Sequence, residues 1–492
     1  MSNKFLSSMS NAGYTANGAS TNLSSSNACV DLFFQIGSMR SASTEDLCVA
    51  WTKAFIQDAD IALKTLFWAR DIRAGAGERR SFRIIMGHIA ERQPELLTER
   101  LIALIPQFGR WDDLLVFFNT DCESFALKAI GTALKSEDSL CAKWMPREKS
   151  SKYLIARKIR EYMEYSPKQY RKMLSSLSSV VETKMCADQW DEIEFSHVPS
   201  QAMRIYKRAF ENHAPQAWSE YTNALSTGAS KVNAGAIHPH EILAKYITTS
   251  SYSQYSASYG STVCEISKVT EAQWAALPNW LEGNTSRILP IVDTSSSMGH
   301  AYSDSSKTRP IDVSVSLGMY IAERNSGPFK DYFVTFSENP MMHHIKGKDL
   351  SSRLASVCSS EWGMNTNIEG TFNAILHHAT SSGATVEDMP TTILILSDME
   401  FDTCASINET AMQSIRRQYN EAGFELPNIV FWNLNARMGN VPVRFDEQGT
   451  AMVSGFSPAI MKSLLTDTEN FTPEAIMRAT VCSELYSEVC YE

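Results

Sequence analysis

The chain has no CxxC pair, no HExxH signature, no P-loop, no G-x-S-x-G elbow and no kinase motif. Zinc ribbons, zincin-type proteases and the common phosphoryl- and acyl-transfer machineries therefore find no footing. No stretch approaches about 18 uninterrupted apolar residues, and the N-terminus carries no apolar run of the secretory kind, so neither a membrane span nor a signal peptide is expected. Its ten cysteines lie far apart, which points to reduced thiols in a cytosol-like compartment and to a cytoplasmic protein.

What is present suits a large globular protein. At 492 residues, with 43% hydrophobic and 20% charged side chains, two or three domains with ample cores are expected. The net charge of -10 is unevenly spread. Residues 1–285 hold 31 Lys and Arg against 30 Asp and Glu, whereas residues 286–492 hold 14 against 25. The acidity belongs to the C-terminal part, and the N-terminal part is near neutral with concentrated basic segments, where local patches govern phosphate binding.

The organising stretch is ILPIVDTSSSMG, Ile288 to Gly299. A short apolar run between polar residues reads as a buried parallel strand, and Asp293 falls where that strand meets a loop, the place where open α/β sheets hold ligands. Asp293, Ser295 and Ser297 recur every second residue, so a locally extended loop turns three hard oxygen donors toward one point. Such a set suits a magnesium-like ion that keeps some of its waters. The D-x-S-x-S pattern after a buried strand resembles the metal-ion-dependent adhesion site of von Willebrand factor A (vWA) domains. That resemblance implies a threonine and a second aspartate from later loops, matched by Thr366 in GMNTNIEGTF and Asp398 at the end of TTILILSD. It further implies Mg2+ (or Mn2+) as the cation, with a vacant position that a partner's carboxylate fills. A Ser-rich loop beside a helix-capping aspartate is the bland alternative. Haloacid-dehalogenase phosphatases also place an aspartate after a strand, but they need a second one two residues on, where this chain has Ser295. No enzymatic activity is expected.

Residues 1–27 are rich in Ser, Asn, Gly and Thr and read as a flexible tail. Residues 28–285 read as an all-α region. DLCVAWTKAFIQ, ADIALKTLFWARDI, GERRSFRIIMGHIAER, PELLTERLIALIPQFG and WDDLLVFFNT carry apolar residues at helical spacing, as expected for helical pairs stacked in a degenerate solenoid. Between Lys143 and Lys172 lie ten basic residues, Lys143, Arg147, Lys149, Lys152, Arg157, Lys158, Arg160, Lys168, Arg171 and Lys172, against Glu148, Glu161 and Glu164. Trp144, Tyr153, Tyr162, Tyr165 and Tyr170 are interleaved with them, a mixture that neutralises phosphates and stacks on unpaired bases. A solvated helix face with its tyrosines in the core is the competing reading. Arg70, Arg73, Arg79, Arg80 and Arg83 upstream, and Arg204, Lys207 and Arg208 downstream, would add to this field if they faced one concavity. His238 and His240 flank a proline and have no third ligand, so they read as structural. SSYSQYSASYGS at 250–261 reads as a linker.

The remainder alternates, with strands expected at Ile288–Val292, Tyr332–Phe336, Ile393–Ser397 and Ile429–Leu434 and helices at Ile311–Arg324, Ile368–Ala379 and Ala411–Ala422. That rhythm predicts a doubly wound parallel sheet at 286–470, followed by an amphipathic helix at 471–492 packing back on the helical region. FWARDIRAGAGERRSFR, IPQFGRWDDLL, CAKWMPRE and VPSQAMRIYKRAFENHAPQAW resemble those of an uncharacterised family of eukaryotes and viruses that joins such a helical region to a vWA domain. The arrangement, and FGRWDDLL within it, is in turn similar to the Ro autoantigen (TROVE) family, whose HEAT-like ring closed by a vWA domain binds misfolded small RNAs and Y RNAs. What the resemblance implies is a ribonucleoprotein component that binds small non-coding RNA and contacts a protein partner through its metal. The alternative is a protein-only scaffold acting through the metal site.

Overall fold

A computed structural model of the chain describes residues 11–178, 180–247, 266–300, 308–336, 340–360, 362, 366–402, 411–435, 439–465 and 470–490. The linker expected at 250–261 and the first ten residues of the expected tail lie outside these.

The N-terminal region is helical: α1 (Ala28–Ile36), α2 (Thr44–Gln57), α3 (Ala59–Arg70), α4 (Arg80–Arg92), α5 (Glu99–Phe108), α6 (Glu123–Lys135), α7 (Ser139–Trp144), α8 (Tyr153–Tyr162), α9 (Pro167–Leu177), α10 (Val181–Cys186), α11 (Ser200–His213), α12 (Pro215–Ser226), α13 (Pro239–Leu243) and α14 (Lys268–Ala275). Local chemistry explains the starts. Asn27, Ser43 and Asp58 cap α1, α2 and α3 by accepting first-turn N–H groups, and proline opens α9, α12 and α13. WDDLLVF, expected as an α-helix, instead winds into a 3-10 helix at Trp111–Phe117. The reason is tertiary: Asp113 is drawn into the core, where it accepts from Arg70 and Arg83 and from the Arg110 N–H.

The C-terminal region holds β3 (Ile288–Val292), α15 (Pro310–Arg324), β4 (Tyr332–Thr335), β5 (Met342–His344), α16 (Leu350–Cys358), α17 (Ile368–Ser382), β6 (Thr392–Ser397), α18 (Ala411–Glu421), β7 (Asn428–Asn433), β8 (Thr450–Ser454), α19 (Met461–Leu464) and α20 (Pro473–Val481). Its six-stranded sheet runs β5-β4-β3-β6-β7-β8, parallel except for β5. The α/β expectation holds, and β5 and β8 are additions. MHH at β5 alternates exposed and half-buried residues on an edge and lacks the apolar run that announces the central strands.

Residues 11–27 correct the expectation of a flexible tail. A hairpin of β1 (Ala12–Tyr14) and β2 (Ser20–Asn22) turns through Gly18, whose φ of 88° suits glycine alone at low cost, and docks on the sheet domain through bridges Gly18 to Asp402 and Asn22 to Val441. Helix α1 then runs onto β8: Ser454 Oγ donates to the Phe33 carbonyl (2.7 Å) and Asn433 Nδ2 to that of Phe34 (2.9 Å). At the far end Tyr486 stacks on Phe108, ring centroids 5.5 Å apart, and donates to Asp71 Oδ2 at 3.0 Å. One apolar core accordingly runs through both regions, while Phe195, Met203, Phe210, Trp218 and Tyr221 around α11 and α12 form a second, separate one. Among the described residues no helix is long and apolar enough to cross a membrane.

Candidate metal centre and basic face

Strands β3 and β6 are parallel neighbours in register from Ile288 with Thr392 to Val292 with Leu396, so Asp293 and Asp398 leave the sheet at the same edge. This is the point where the connections turn opposite ways, β3 onward to β4 and β6 onward to β7, and a crevice forms there in open α/β sheets. Asp293 Oδ1 accepts from the Ser295 N–H (2.9 Å) and Oδ2 from Ser397 Oγ (2.5 Å). Ser295 Oγ lies 3.0 Å from Ser297 Oγ, and Ser297 in turn hydrogen-bonds Asp398. Thr366, just ahead of α17, donates its backbone N–H to Asp402 Oδ2 (2.8 Å), and the Asp402 N–H donates back to the Thr366 carbonyl (3.1 Å). The charge of Asp402, which holds Thr366, also acts on Asp293.

Electrostatics set this cluster apart. Burial pushes Asp293 above the ordinary carboxylate range, and burial together with the charge of Asp293 pushes Asp398 up to about 7. The other groups acting on the pair are hydroxyls, backbone N–H groups and the carboxylates Asp402 and Glu400. Asp293, Ser295, Thr366 and Asp398 are all buried, and Thr366 Oγ1 has no hydrogen-bond partner among the described residues. Two carboxylates and three hydroxyls, one of them the orphaned Thr366 Oγ1, are the kind of donor set that a hard divalent cation takes. Among the described residues no group of three or more His, Cys, Asp and Glu is placed to hold a metal, so any site here rests on the hydroxyls as well.

Asp402 and Glu400 were not singled out from the sequence. Glu400 is buried and its Oε2 accepts the Ala16 N–H at 2.6 Å, while Thr15 Oγ1 donates to the Phe401 carbonyl (2.6 Å) and Asn17 Nδ2 to that of Glu400 (2.7 Å). The N-terminal hairpin therefore clamps the loop that carries Asp398 and Asp402. The DMEFD spacing, with acids on alternate residues, was the available signal.

The basic window divides. Lys143 pairs with Glu182, Arg157 with Glu161, Lys158 with Glu123, and Arg160 with Glu148 and Glu161. Arg147 is half-buried and donates to Ser178 Oγ. Lys149, Lys152, Lys168, Arg171 and Lys172 are exposed and have no ion pair among the described residues. The aromatics divide too: Tyr153 (53% exposed) and Tyr162 (42%) face solvent, whereas Tyr170 is core and Trp144 lies under the Arg110 guanidinium at 3.8 Å.

Of the upstream arginines, Arg70 and Arg83 are spent on carboxylates, while Arg73, Arg79 and Arg80 are exposed. Arg70 is buried against Asp113 (2.7 Å), Arg83 reaches Asp112 (2.8 Å) and Asp113 (2.6 Å), and Arg73 and Arg80 donate to the Gln107 and Ala42 carbonyls. Gly109 lets this knot close: a Cβ there would lie 2.4 Å from Asp113 Oδ2. His240 is buried and His238 half-buried, their rings stacked 5.8 Å apart, with His240 against Phe456.

Residues 287–486 match a family described as Domain of unknown function (DUF7788), and residues 15–123 and 118–285 match Domain of unknown function (DUF2828). An uncharacterized protein of Acanthamoeba polyphaga mimivirus is 30% identical over 522 aligned positions, covering 95% of this chain and 87% of that protein. Among solved structures, the Ro (RSR) protein of Deinococcus radiodurans aligns over 92% of this chain and 93% of its own at 13% identity, with a TM-score of 0.33 that carries no argument about function. With more than half its length matched by one family and a relative of 30% identity spanning nearly all of it, the chain belongs to the DUF2828 family, its C-terminal part being a DUF7788 domain.

Proposed function

We propose that the sheet domain is a vWA domain in which Asp293, Ser295, Ser297, Thr366 and Asp398 hold Mg2+ or Mn2+, and that the helical region binds small non-coding RNA. The protein on this reading is a binding protein and no enzyme. The observation that carries the metal half is the buried Asp293–Asp398 pair, charge-repelled and served by hydroxyls, with Thr366 Oγ1 left without a partner among the described residues. A bound divalent ion would supply positive charge at the sheet edge and a position open to a partner's carboxylate or phosphate oxygen. The chain's own contribution is to orient the donors: Ser397 fixes Asp293, and Asp402 fixes Thr366. Calorimetry with Mg2+ and Mn2+ tests it. Asp293→Ala should abolish uptake in folded protein, and uptake equal to the parent's would sink the metal reading.

The RNA half is supported by Lys149, Lys152, Lys168, Arg171 and Lys172, exposed without counter-charges among the described residues and interleaved with the exposed rings of Tyr153 and Tyr162. Charge reversal at Lys168, Arg171 and Lys172 together should weaken retention of single-stranded RNA in a filter-binding titration and flatten its salt dependence. Unchanged retention favours the second reading, a protein scaffold acting through the metal alone. The neutralisation of Lys143, Arg157, Lys158 and Arg160 by their own neighbours is the observation on that side.

A further inference from the structure

Away from the sheet edge, three elements of the helical region bring cations and hydroxyls together. Lys207 comes from α11, Lys245 and Tyr246 from the 3-10 turn Ala244–Tyr246, and Ser267 and Thr270 from the N-cap and first turn of α14. Lys207 Nζ donates to Thr270 Oγ1 (2.9 Å) and to Ser267 Oγ (3.1 Å). Ser267 Oγ and Thr270 Oγ1 are 2.9 Å apart, and the Tyr246 hydroxyl lies 3.2 Å from Thr270 Oγ1. The Lys245 ammonium sits 4.5 Å from the centre of the Tyr246 ring, within interaction range of Lys207.

A half-buried lysine in a purely structural role either meets a carboxylate or extends its head into water. Lys207 does neither: its ammonium is turned onto hydroxyls beside a second lysine, and among the described residues neither lysine has a carboxylate partner. Burial first and the nearby Lys245 second pull the Lys207 ammonium down to about 8. Burial works to raise the Tyr246 phenol, yet the Thr270 hydrogen bond and the two lysines bring it below its ordinary value. Lys245 contributes to both shifts.

We infer that Lys207, Lys245, Ser267, Thr270 and Tyr246 form a binding site for a phosphate monoester or inorganic phosphate. Two ammonium groups match a doubly charged tetrahedral oxyanion in charge, and the hydroxyls supply donors for the remaining oxygens. The inference stands apart from the metal centre and from the basic face of α8 and α9.

The test is calorimetric titration of inorganic phosphate into the full chain, with chelator present so that no metal contributes. Single-site uptake is expected, weakened at least about tenfold in Lys207→Met and in Lys245→Met alike, as the loss of one charge-assisted contact to a dianion implies. Lys245 is exposed, so its variant carries the test if Lys207→Met fails to fold. No uptake by the parent at millimolar phosphate, or both variants titrating like the parent, overturns the inference. Competition assigns the source. Displacement by a 5′-phosphorylated short RNA and not by its unphosphorylated twin identifies a strand end, displacement by neither identifies the free anion, and displacement by both overturns the monoester assignment.

Discussion

Two sets of carboxylates in this protein, one around Asp113 and one around Asp293, have opposite surroundings. Around Asp112 and Asp113 the chain supplies its own cations, Arg70, Arg83 and Arg110, each within hydrogen-bond distance. Burial works against the charge of Asp112, yet Arg83 and Arg110 hold it below the ordinary carboxylate range. At the sheet edge Asp293 and Asp398 meet only hydroxyls, N–H groups and further acids among the groups that act most on them, and both are pushed upward. A buried carboxylate without a counter-charge is costly, so a fold keeps such a pair where a cation from outside completes it. The first cluster closes a fold, and the second, on the reading proposed above, receives an ion.

The comparison breaks most easily at the arginine knot. Arg70→Met leaves Asp113 short of a partner in the core and should lower stability in urea denaturation by about 3–5 kcal/mol, the usual loss when one member of a buried ion pair is removed. A loss under about 1 kcal/mol would mean the knot is not what holds α3 to the Trp111–Phe117 turn.

The acid pair should respond in the opposite sense. Asp398 has its folded pKa raised to about 7, above the unfolded value near 4, so its contribution to stability is fully present below about pH 4 and is lost as pH rises through about 7. In chelator, Asp398→Asn should therefore raise the melting temperature at pH 8 and leave it nearly unchanged at pH 4. Mg2+ should stabilise the parent at pH 8, by about 2.7 kcal/mol at a hundredfold excess over its dissociation constant, and much less at pH 6, where the proton competes. An Asn variant less stable than the parent in chelator at pH 8 would erase the contrast between the clusters.

Smaller changes sharpen it. Asp402→Asn keeps every proposed ligand but loosens Thr366, and should weaken metal uptake about 10- to 100-fold, the usual scale for an outer-shell partner. Thr15→Val removes one hydrogen bond of the clamp on the Phe401 carbonyl and should cost about 1 kcal/mol of stability, read in urea. Should metal affinity also fall in Thr15→Val, the hairpin helps to order the site. Indifference would make it a strap between regions only.

FGRWDDLL shows how a phrase legible in the sequence can report something other than function. It reads as part of a likeness to an RNA-binding family, and in the structure its polar residues are consumed in the buried knot, with Gly109 leaving room for Asp113 and Arg70. In this chain the phrase serves packing. The basic window was legible as a window, but which of its cations remain available was decided by Glu123 and Glu182 arriving from outside it and by Glu148 and Glu161 folding back within it.

Sequence by itself settled what depends on neighbours along the chain. The apolar runs of β3 and β6, the aspartate closing each, the capped amphipathic helices and the alternation that makes a parallel sheet all rest on local periodicity and on the preferences of a few residue types. Tertiary structure decided what depends on distance in space. It drew Asp113 inward and turned an expected α-helix into a 3-10 turn, laid residues 11–27 across the loop of Asp398, and set Asp402 behind Thr366. Burial and charge pairing are sums over everything nearby, and no window along the chain contains the residues that complete those sums.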